Sequence, residues 1–179
     1  MGSLAGAIKW VVNSSATVSG PSRKELIVAR LGFVRRDLDE LLEHVTDGAV
    51  KWAPADGVRP LDDQFLEIAM NEVMSIALLR DGVTLSHAEA EATLVHDGTV
   101  GALKEVLVDV RQATLSYIEA LSEEELAEAV EASNPWFASF GLKKVPRYDA
   151  LTSIALHEHY HVGQLITYLW TMGDDPYSW

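Results

Sequence analysis

The chain has 179 residues, of which 48% are hydrophobic and 23% are charged, and it contains no cysteine. This composition suits one globular domain, while the lack of cysteine excludes disulfides, thiolate metal sites and a cysteine nucleophile. The formal net charge of −13 argues against nucleic acid as a partner, because the phosphate backbone would repel the protein. No apolar stretch reaches the roughly 18 residues that a membrane span needs, so we expect no membrane partner and a cytoplasmic protein.

The first 45 residues contain one clear helix. Residues 1–20 are rich in Ser and Gly and carry no helical pattern, so we interpret them as a leader ahead of a single domain over residues 21–179. Ser22 and Glu25 have the spacing of a capping box, and a broad apolar helical face follows them. We therefore predict a first long helix over about Arg23–Val45.

Two prolines and two Asp-Gly pairs indicate a loop over residues 46–60. We expect its Trp52 to close one end of the helical core. A second long helix is predicted over about Leu61–Leu79, because apolar residues recur there with helical spacing and Asp81-Gly82 ends the pattern. The next segment indicates only a short helix over Ser86–Leu94.

The second half of the chain contains two more long helices. One is predicted over about Val100–Ala120, and the last over about Arg147–Met172, which ends before a glycine and a proline. Between them a capping box opens a short acidic helix over Ser122–Glu131, and no segment alternates as a strand does. Four long amphipathic helices predict an all-α fold, a four-helix bundle with a long crossover and a short extra helix between helices three and four.

Three of the six histidines lie close together in the last helix. Since successive helical residues are about 100° apart, His157 and His161 lie one turn apart on one face, and His159 points to the opposite side. Two imidazoles at this spacing can chelate one metal ion. The same face carries a polar stripe, which consists of Ser153, Gln164 and Tyr168. We expect Gln164 and Tyr168 to orient a bound molecule.

A third ligand is expected from a facing helix, because two histidines rarely hold a metal alone. Helix two has its own polar stripe, which consists of Gln64, Glu67, Asn71 and Ser75. Glu67 is the ionised member, and burying a carboxylate is costly unless it binds a cation. Two imidazoles and one carboxylate leave coordination positions open, as in catalytic sites. The alternative is that Glu67 is a solvated helix residue.

The last helix carries a family resemblance. Its run LHEHYHVGQL over residues 156–165, followed by Tyr168 and Gly173, resembles the signature of the DinB-like family, in which His-x-x-x-His precedes Gly-Gln. In that family, helix two usually supplies a third histidine, with Glu five residues later. Glu72 takes the place of that glutamate here, so Glu67 stands where the histidine would be. The resemblance extends over about residues 22–176.

The resemblance implies an up-down-down-up four-helix bundle, often a homodimer, with a divalent metal at positions 67, 157 and 161. Relatives include thiol-dependent S-transferases and isomerases that use bacterial low-molecular-weight thiols. Glu67 departs from the usual three histidines and adds a negative charge, which bears on the identity of the metal. We expect Zn²⁺ or Ni²⁺.

The same segment also spells His-Glu-x-x-His, the signature of zinc peptidases, with Glu158 as general base. The extended form of that signature needs Gly and His further along the helix. Gln164 and Thr167 stand there instead, and no Glu follows His161. A peptidase is therefore the weaker alternative.

Two further alternatives concern the metal. Glu158 and His161 form Glu-x-x-His, half of a di-iron bundle site, but no second copy is present in the sequence. A bundle that binds a metal or a small ligand without turnover is the non-enzymatic alternative. A saturated coordination sphere would favour it, and an open position would favour an enzyme.

Several other residues have structural interpretations. His44, His87 and His96 lie beside acidic or polar residues, so we expect them at the surface. An aromatic group between residues 133 and 145 is expected to cover the bundle end or a dimer partner, and its members are Trp136, Phe137 and Phe140.

Taken together, the residues predict a metal-dependent enzyme that acts on a small-molecule substrate, and the resemblance implies a low-molecular-weight thiol as a candidate substrate. Glu67, His157 and His161 would hold the metal, which activates water or a thiol for hydrolysis or thiol S-transfer. Gln164 and Tyr168 would orient the bound molecule. Glu158 is the candidate proton carrier.

Overall fold

The computed structural model describes residues 20–132 and 135–179. The predicted leader therefore lies almost wholly outside the described residues. The described chain is mostly helical, which confirms the all-α class. Four helices are long, and their bounds are Arg23–Glu43 (α1), Leu61–Asp81 (α2), Val100–Ala120 (α4) and Arg147–Thr171 (α7).

The remaining elements are short. They are α3 at His87–Glu91, α5 at Glu123–Ala127, β1 at Ala129–Glu131, α6 at Pro135–Ser139, β2 at Lys144–Pro146 and a 3-10 helix at Pro176–Ser178. The long helices agree with the predicted bounds to within about two residues. Both capping boxes that the sequence predicts are formed, at Ser22 and at Ser122, where each hydroxyl accepts a hydrogen bond from the third helical residue.

Two secondary-structure predictions are wrong, namely the length of the acidic helix and the absence of strands. The acidic helix does not reach Glu131, because α5 ends at Ala127 and the chain then enters β1. β1 pairs with β2 in an antiparallel ribbon that aligns Val130 with Val145, and Glu131 lies 3.2 Å from the Lys144 ammonium group. Each strand has only three residues, so the ribbon depends on pairing across the crossover and leaves little local signal.

The four long helices pack in a closed ring. α1 contacts α7 and α4, and α2 contacts the same two helices. Trp52 packs against one end of the core and meets the Tyr168 ring edge-on, with 5.9 Å between the ring centroids, as predicted. Phe137 is buried in the other half of the core, Phe140 is exposed, and the side chain of Trp136 lies outside the described residues. No described helix is long and apolar enough to cross a membrane.

Four charged side chains divide the apolar core into two clusters. Each long helix supplies one of these residues, which are Arg35, Glu72, Arg111 and Glu158, and we call them the ionic layer. Residues on either side of the layer belong to different clusters, as Leu31 and Leu38 do on α1. The four residues are at most 8% exposed, so their charges are stable in the core only through pairing.

The ionic layer pairs each arginine with both carboxylates. Arg111 donates through Nε to Glu72 Oε1 at 2.8 Å, and it also bonds Glu158. Arg35 donates through Nε to Glu158 Oε1 at 2.7 Å, and its Nη2 lies 3.4 Å from Glu72. Burial acts to lower the pKa of Arg111, but its bonds to Glu72 and Glu158 outweigh burial and raise that pKa. Two positive and two negative charges thus balance inside the core.

Candidate metal centre

α7 brings two imidazole rings together. His157 and His161 lie one turn apart, and their Nε2 atoms are separated by 3.3 Å. Two nitrogens bound to a tetrahedral zinc ion at about 2.0–2.1 Å stand roughly 3.4 Å apart, so this spacing matches chelation. His157 is partly buried and His161 is buried. The pair that the helical spacing predicted is therefore present in a geometry that suits one ion.

α2 places Glu67 against this pair. One carboxylate oxygen of Glu67 and one ring nitrogen of each histidine all lie within 4.8 Å of one another. Side-chain movements of about an ångström would bring all three atoms to coordination distance, given metal–ligand bonds of about 2.0–2.2 Å. The carboxylate is mostly buried, at 17% exposure, which argues against the alternative of a solvated helix residue.

Both histidines have lowered pKa values. Burial lowers the pKa of His157 to about 4, and the nearby Arg59 charge acts in the same direction. Burial also lowers the pKa of His161 to about 4, with a further contribution from His157, while Glu67 opposes the shift. Both rings are therefore neutral near pH 7, which is the form that binds metals.

His161 has a buried partner on the side of the ring that faces away from His157. Its Nδ1 lies 2.5 Å from Gln64 Oε1, and Gln64 is itself buried, at 4% exposure. Because an amide oxygen only accepts, the ring donates through Nδ1–H and its Nε2 carries a lone pair. Gln64 belongs to the polar stripe of helix two, one turn before Glu67, but its sequence position did not reveal this role.

The hydrogen bonds continue from Gln64 to the loop before α2. Gln64 Nε2 donates to the Tyr168 hydroxyl at 3.2 Å, and that hydroxyl donates to the Arg59 carbonyl at 3.1 Å. Tyr168 is thus close to the centre, as predicted, but its hydroxyl is engaged by two protein groups. Arg59 also reaches Glu67, since its Nη1 lies 3.0 Å from Glu67 Oε2. No sequence pattern singled out this loop arginine.

The other predicted residues are placed differently. Glu158 does not join the three groups, because its buried carboxylate accepts from Arg35 and Arg111 in the ionic layer. A carboxylate held by two guanidinium groups is unsuited to carry protons, so the assignment as proton carrier or peptidase base is corrected to a structural role. Gln164 lies one turn beyond His161, its Oε1 is buried, and its hydrogen-bonding side chain acts to raise the pKa of His161.

We expected His44, His87 and His96 at the surface, but only His87 is exposed among these three. His87 is exposed as expected, yet its Nε2 lies 3.7 Å from Glu67 Oε1, so α3 borders the centre. His44 is half-buried, stacks on Trp179 and bonds Asp174. His96 has a buried Nδ1 that finds no partner among residues 20–132 and 135–179.

A small concavity opens beside Glu67. Its volume is about 190 Å³, and its lining consists of Arg59, Asp63, Leu66, Glu67, Met70 and Glu91. Small molecules could approach the carboxylate from this side, where charged groups of both signs are available for recognition.

Comparisons with known proteins agree with this architecture. A conserved protein from Enterococcus faecalis has 17% sequence identity and a TM-score of 0.61, and the match covers 86% of this chain and 99% of that chain. A DinB-like protein from Bacillus subtilis has 20% identity and a TM-score of 0.60, with 83% and 92% covered. At these identities the likeness shows a shared fold. None of the curated proteins matches the chain.

A family model gives the more specific result. It is the model of the DinB superfamily, and it matches residues 30–165. This span is most of the chain, and it contains the ionic layer and all three groups of the candidate centre. The chain belongs to the DinB superfamily.

Proposed function

We propose that this DinB superfamily member is a metal-dependent enzyme in which Glu67, His157 and His161 hold a divalent cation. The observation that carries the proposal is the convergence of these three groups within 4.8 Å from two helices. The donor set of two neutral imidazoles and one carboxylate is typical of catalytic zinc and related sites with an open position. Zn²⁺ and Ni²⁺ are the proposed ions.

A divalent cation bound here would supply Lewis acidity that lowers the pKa of a water molecule or a substrate thiol. The protein's own residues would bind the ion and orient the bound molecule. His157 and His161 accept the ion without first losing protons, because burial keeps both rings neutral. Glu67 compensates part of the positive charge. Gln164, whose side chain lies beside His161, would orient a bound small molecule.

We propose hydrolysis or thiol S-transfer as the reaction type, with a low-molecular-weight thiol as a candidate substrate. The support is the triad together with membership of the superfamily. A non-catalytic metal-binding bundle with the same ligands is the second candidate. A fourth protein ligand that closes the coordination sphere would favour it. The homodimer and the up-down-down-up order of the helices are also proposals, which follow from the resemblance. The cytoplasmic location is a further proposal, and it follows from the sequence pattern alone.

The test is metal content followed by turnover. Wild type, His157→Ala and Glu67→Ala are loaded with Zn²⁺ or Ni²⁺, passed through a desalting column and measured by elemental analysis. We expect stoichiometric metal in the wild type and its loss in both variants, whereas His159→Ala, an exposed residue of the same helix, should keep it. Full metal retention in Glu67→Ala would contradict the carboxylate assignment. A screen of esters and thiol conjugates with the loaded wild type then separates the enzyme from the binding module.

A further inference from the structure

Two of the three candidate ligands, His161 and Glu67, are linked through three hydrogen bonds and one ion pair. The hydrogen bonds run from His161 Nδ1 to Gln64 Oε1, from Gln64 Nε2 to the Tyr168 hydroxyl, and from that hydroxyl to the Arg59 carbonyl. The Arg59 side chain then returns to Glu67. The loop before α2 and α2 itself, which are adjacent in sequence, are thereby tied at the centre to the distant α7.

We propose that Gln64, Tyr168 and Arg59 are positioning residues that set the tautomer of His161 and the orientation of Glu67 for metal binding. This inference rests on the proposed function, since it concerns the same centre. None of the three residues needs to touch the ion. Gln64 holds the ring nitrogen of His161 that would face away from the ion. Arg59 holds one carboxylate oxygen of Glu67, and Tyr168 holds both Gln64 and the Arg59 carbonyl.

The chemistry at His161 supports this role. A metal-binding imidazole uses one nitrogen for the ion and usually donates through the other to a fixed acceptor. Gln64 Oε1 is that acceptor, and the buried amide cannot rotate freely because Tyr168 holds its nitrogen. The arrangement directs the Nε2 lone pair of His161 toward His157. Without the acceptor, the ring could protonate Nε2 instead and block the coordinating atom.

The chemistry at Glu67 is analogous. Arg59 Nη1 contacts Oε2, and the other oxygen, Oε1, remains 3.7 Å from the exposed His87. A ligating carboxylate that is held by an ion pair on one oxygen presents the other in a fixed direction. Because the Arg59 carbonyl is held by Tyr168, the position of the guanidinium group is linked to α7. The orientation of both ligands thus depends on one tyrosine hydroxyl.

The experiment compares metal affinity in four variants of the full chain. Gln64→Leu removes the acceptor, Gln64→Glu keeps an acceptor oxygen, and Tyr168→Phe removes the hydroxyl. Gln112→Leu is the matched control, because Gln112 is exposed on α4. Zn²⁺ affinity is measured by competition with a chelating dye, and Co²⁺ is used for its visible absorption spectrum. Helical circular dichroism and the urea midpoint verify that each variant is folded.

We expect Gln64→Leu to weaken Zn²⁺ binding by roughly 10- to 100-fold and to change the Co²⁺ spectrum, as is usual when an outer partner of a metal ligand is lost. Gln64→Glu should rescue most of the affinity. Tyr168→Phe should weaken binding to a lesser degree, and Gln112→Leu should match the wild type. Should Gln64→Leu fail to fold, Tyr168→Phe and Gln64→Glu still decide the question.

A second readout does not require metal. Nitrogen-15 chemical shifts of the metal-free protein report which ring nitrogen of His161 is protonated. We expect the Nδ1–H form in the wild type and a mixture of both forms in Gln64→Leu. A wild type that binds neither Zn²⁺ nor Co²⁺ would overturn the proposed function and this inference with it. A wild type that binds both, alongside a Gln64→Leu variant with unchanged affinity and spectrum, would overturn the inference alone.

Discussion

Arg35 on α1 donates through Nε to Oε1 of Glu158 on α7 over 2.7 Å, although the two residues are 123 positions apart in the chain. Both residues are almost fully buried, at 8% and 1% exposure. A pair this deep has lost its water, so removing either partner leaves an uncompensated charge in the core. Glu158 is therefore a residue that stabilises the fold, although it is next to the candidate metal ligand His157 in the sequence.

The first prediction concerns the ionic layer. Arg111→Met should lower the free energy of unfolding by about 3–5 kcal/mol, because two buried carboxylates, Glu72 and Glu158, would be left with a single guanidinium partner, Arg35. Urea denaturation measures the change. Arg36→Met is the control. Arg36 is exposed on α1, where it pairs with the adjacent Asp37 and lies over the exposed Phe33 ring, so its loss should change stability by less than about 0.5 kcal/mol. Equal effects in the two variants would contradict the structural role of the layer.

The second prediction concerns the ligand that departs from the family pattern. Glu67→His should replace a carboxylate by a third neutral imidazole, which suits Ni²⁺ and Zn²⁺ better than it suits Mn²⁺. We expect the ratio of Ni²⁺ affinity to Mn²⁺ affinity to rise by at least about tenfold in competition titrations. Glu40→His, on the exposed face of α1, controls for adding a histidine anywhere. An unchanged ratio would show that position 67 does not contact the ion.

The third prediction is a dependence of stability on pH in the metal-free protein. The pKa values of His157 and His161 are lowered by burial from 6.5 to about 4. Between these values the unfolded chain binds protons that the folded chain does not, so stability falls as the pH is lowered from about 6.5 to 4. The loss of urea midpoint between pH 7 and pH 5 should be smaller in His157→Gln than in the wild type. His159→Gln, exposed on the same helix, should behave as the wild type does.

The fourth prediction concerns the segment after α7. Trp179 stacks on His44 with 4.2 Å between ring centroids, and its Nε1 donates to Asp174 Oδ1 at 2.8 Å. Trp179→Ala should therefore destabilise the protein by about 1–2 kcal/mol, from the lost stacking and the lost hydrogen bond. Thermal unfolding measures the change. Tyr177→Ala removes a neighbouring ring that is 85% exposed and should cost clearly less. A smaller effect at Trp179 than at Tyr177 would contradict this packing argument.

The sequence predicted the elements that depend on local signals. The capping boxes at Ser22 and Ser122 predict where their helices begin. The spacing of His157 and His161 predicts a shared face because both residues belong to one helix. The role of Glu158 could also have been predicted from the same geometry. It is about 100° from His157 around the helix, so its side chain points away from the metal face.

The rest depends on how segments meet in space. The β ribbon requires residues 129–131 to find residues 144–146, and neither strand is long enough to show alternation. The role of Gln64 depends on the exact facing of α2 and α7, which periodicity leaves open. Arg59 lies in a loop, where no repeat constrains the direction of its side chain. Each of these positions depends on tertiary packing between segments, which cannot be predicted from the pattern of any one segment.

The ionic layer also limits how the helices can slide along their axes. A shift of one helix by a single turn, about 5.4 Å, would leave its buried charge opposite apolar residues and deprive the others of a partner. Glu72 and Glu158 therefore set the relative height of α2 and α7, the two helices that carry Glu67, His157 and His161. Because charges outside the candidate metal centre hold that height, we expect a histidine and a glutamate at position 67 to be presented by the same backbone.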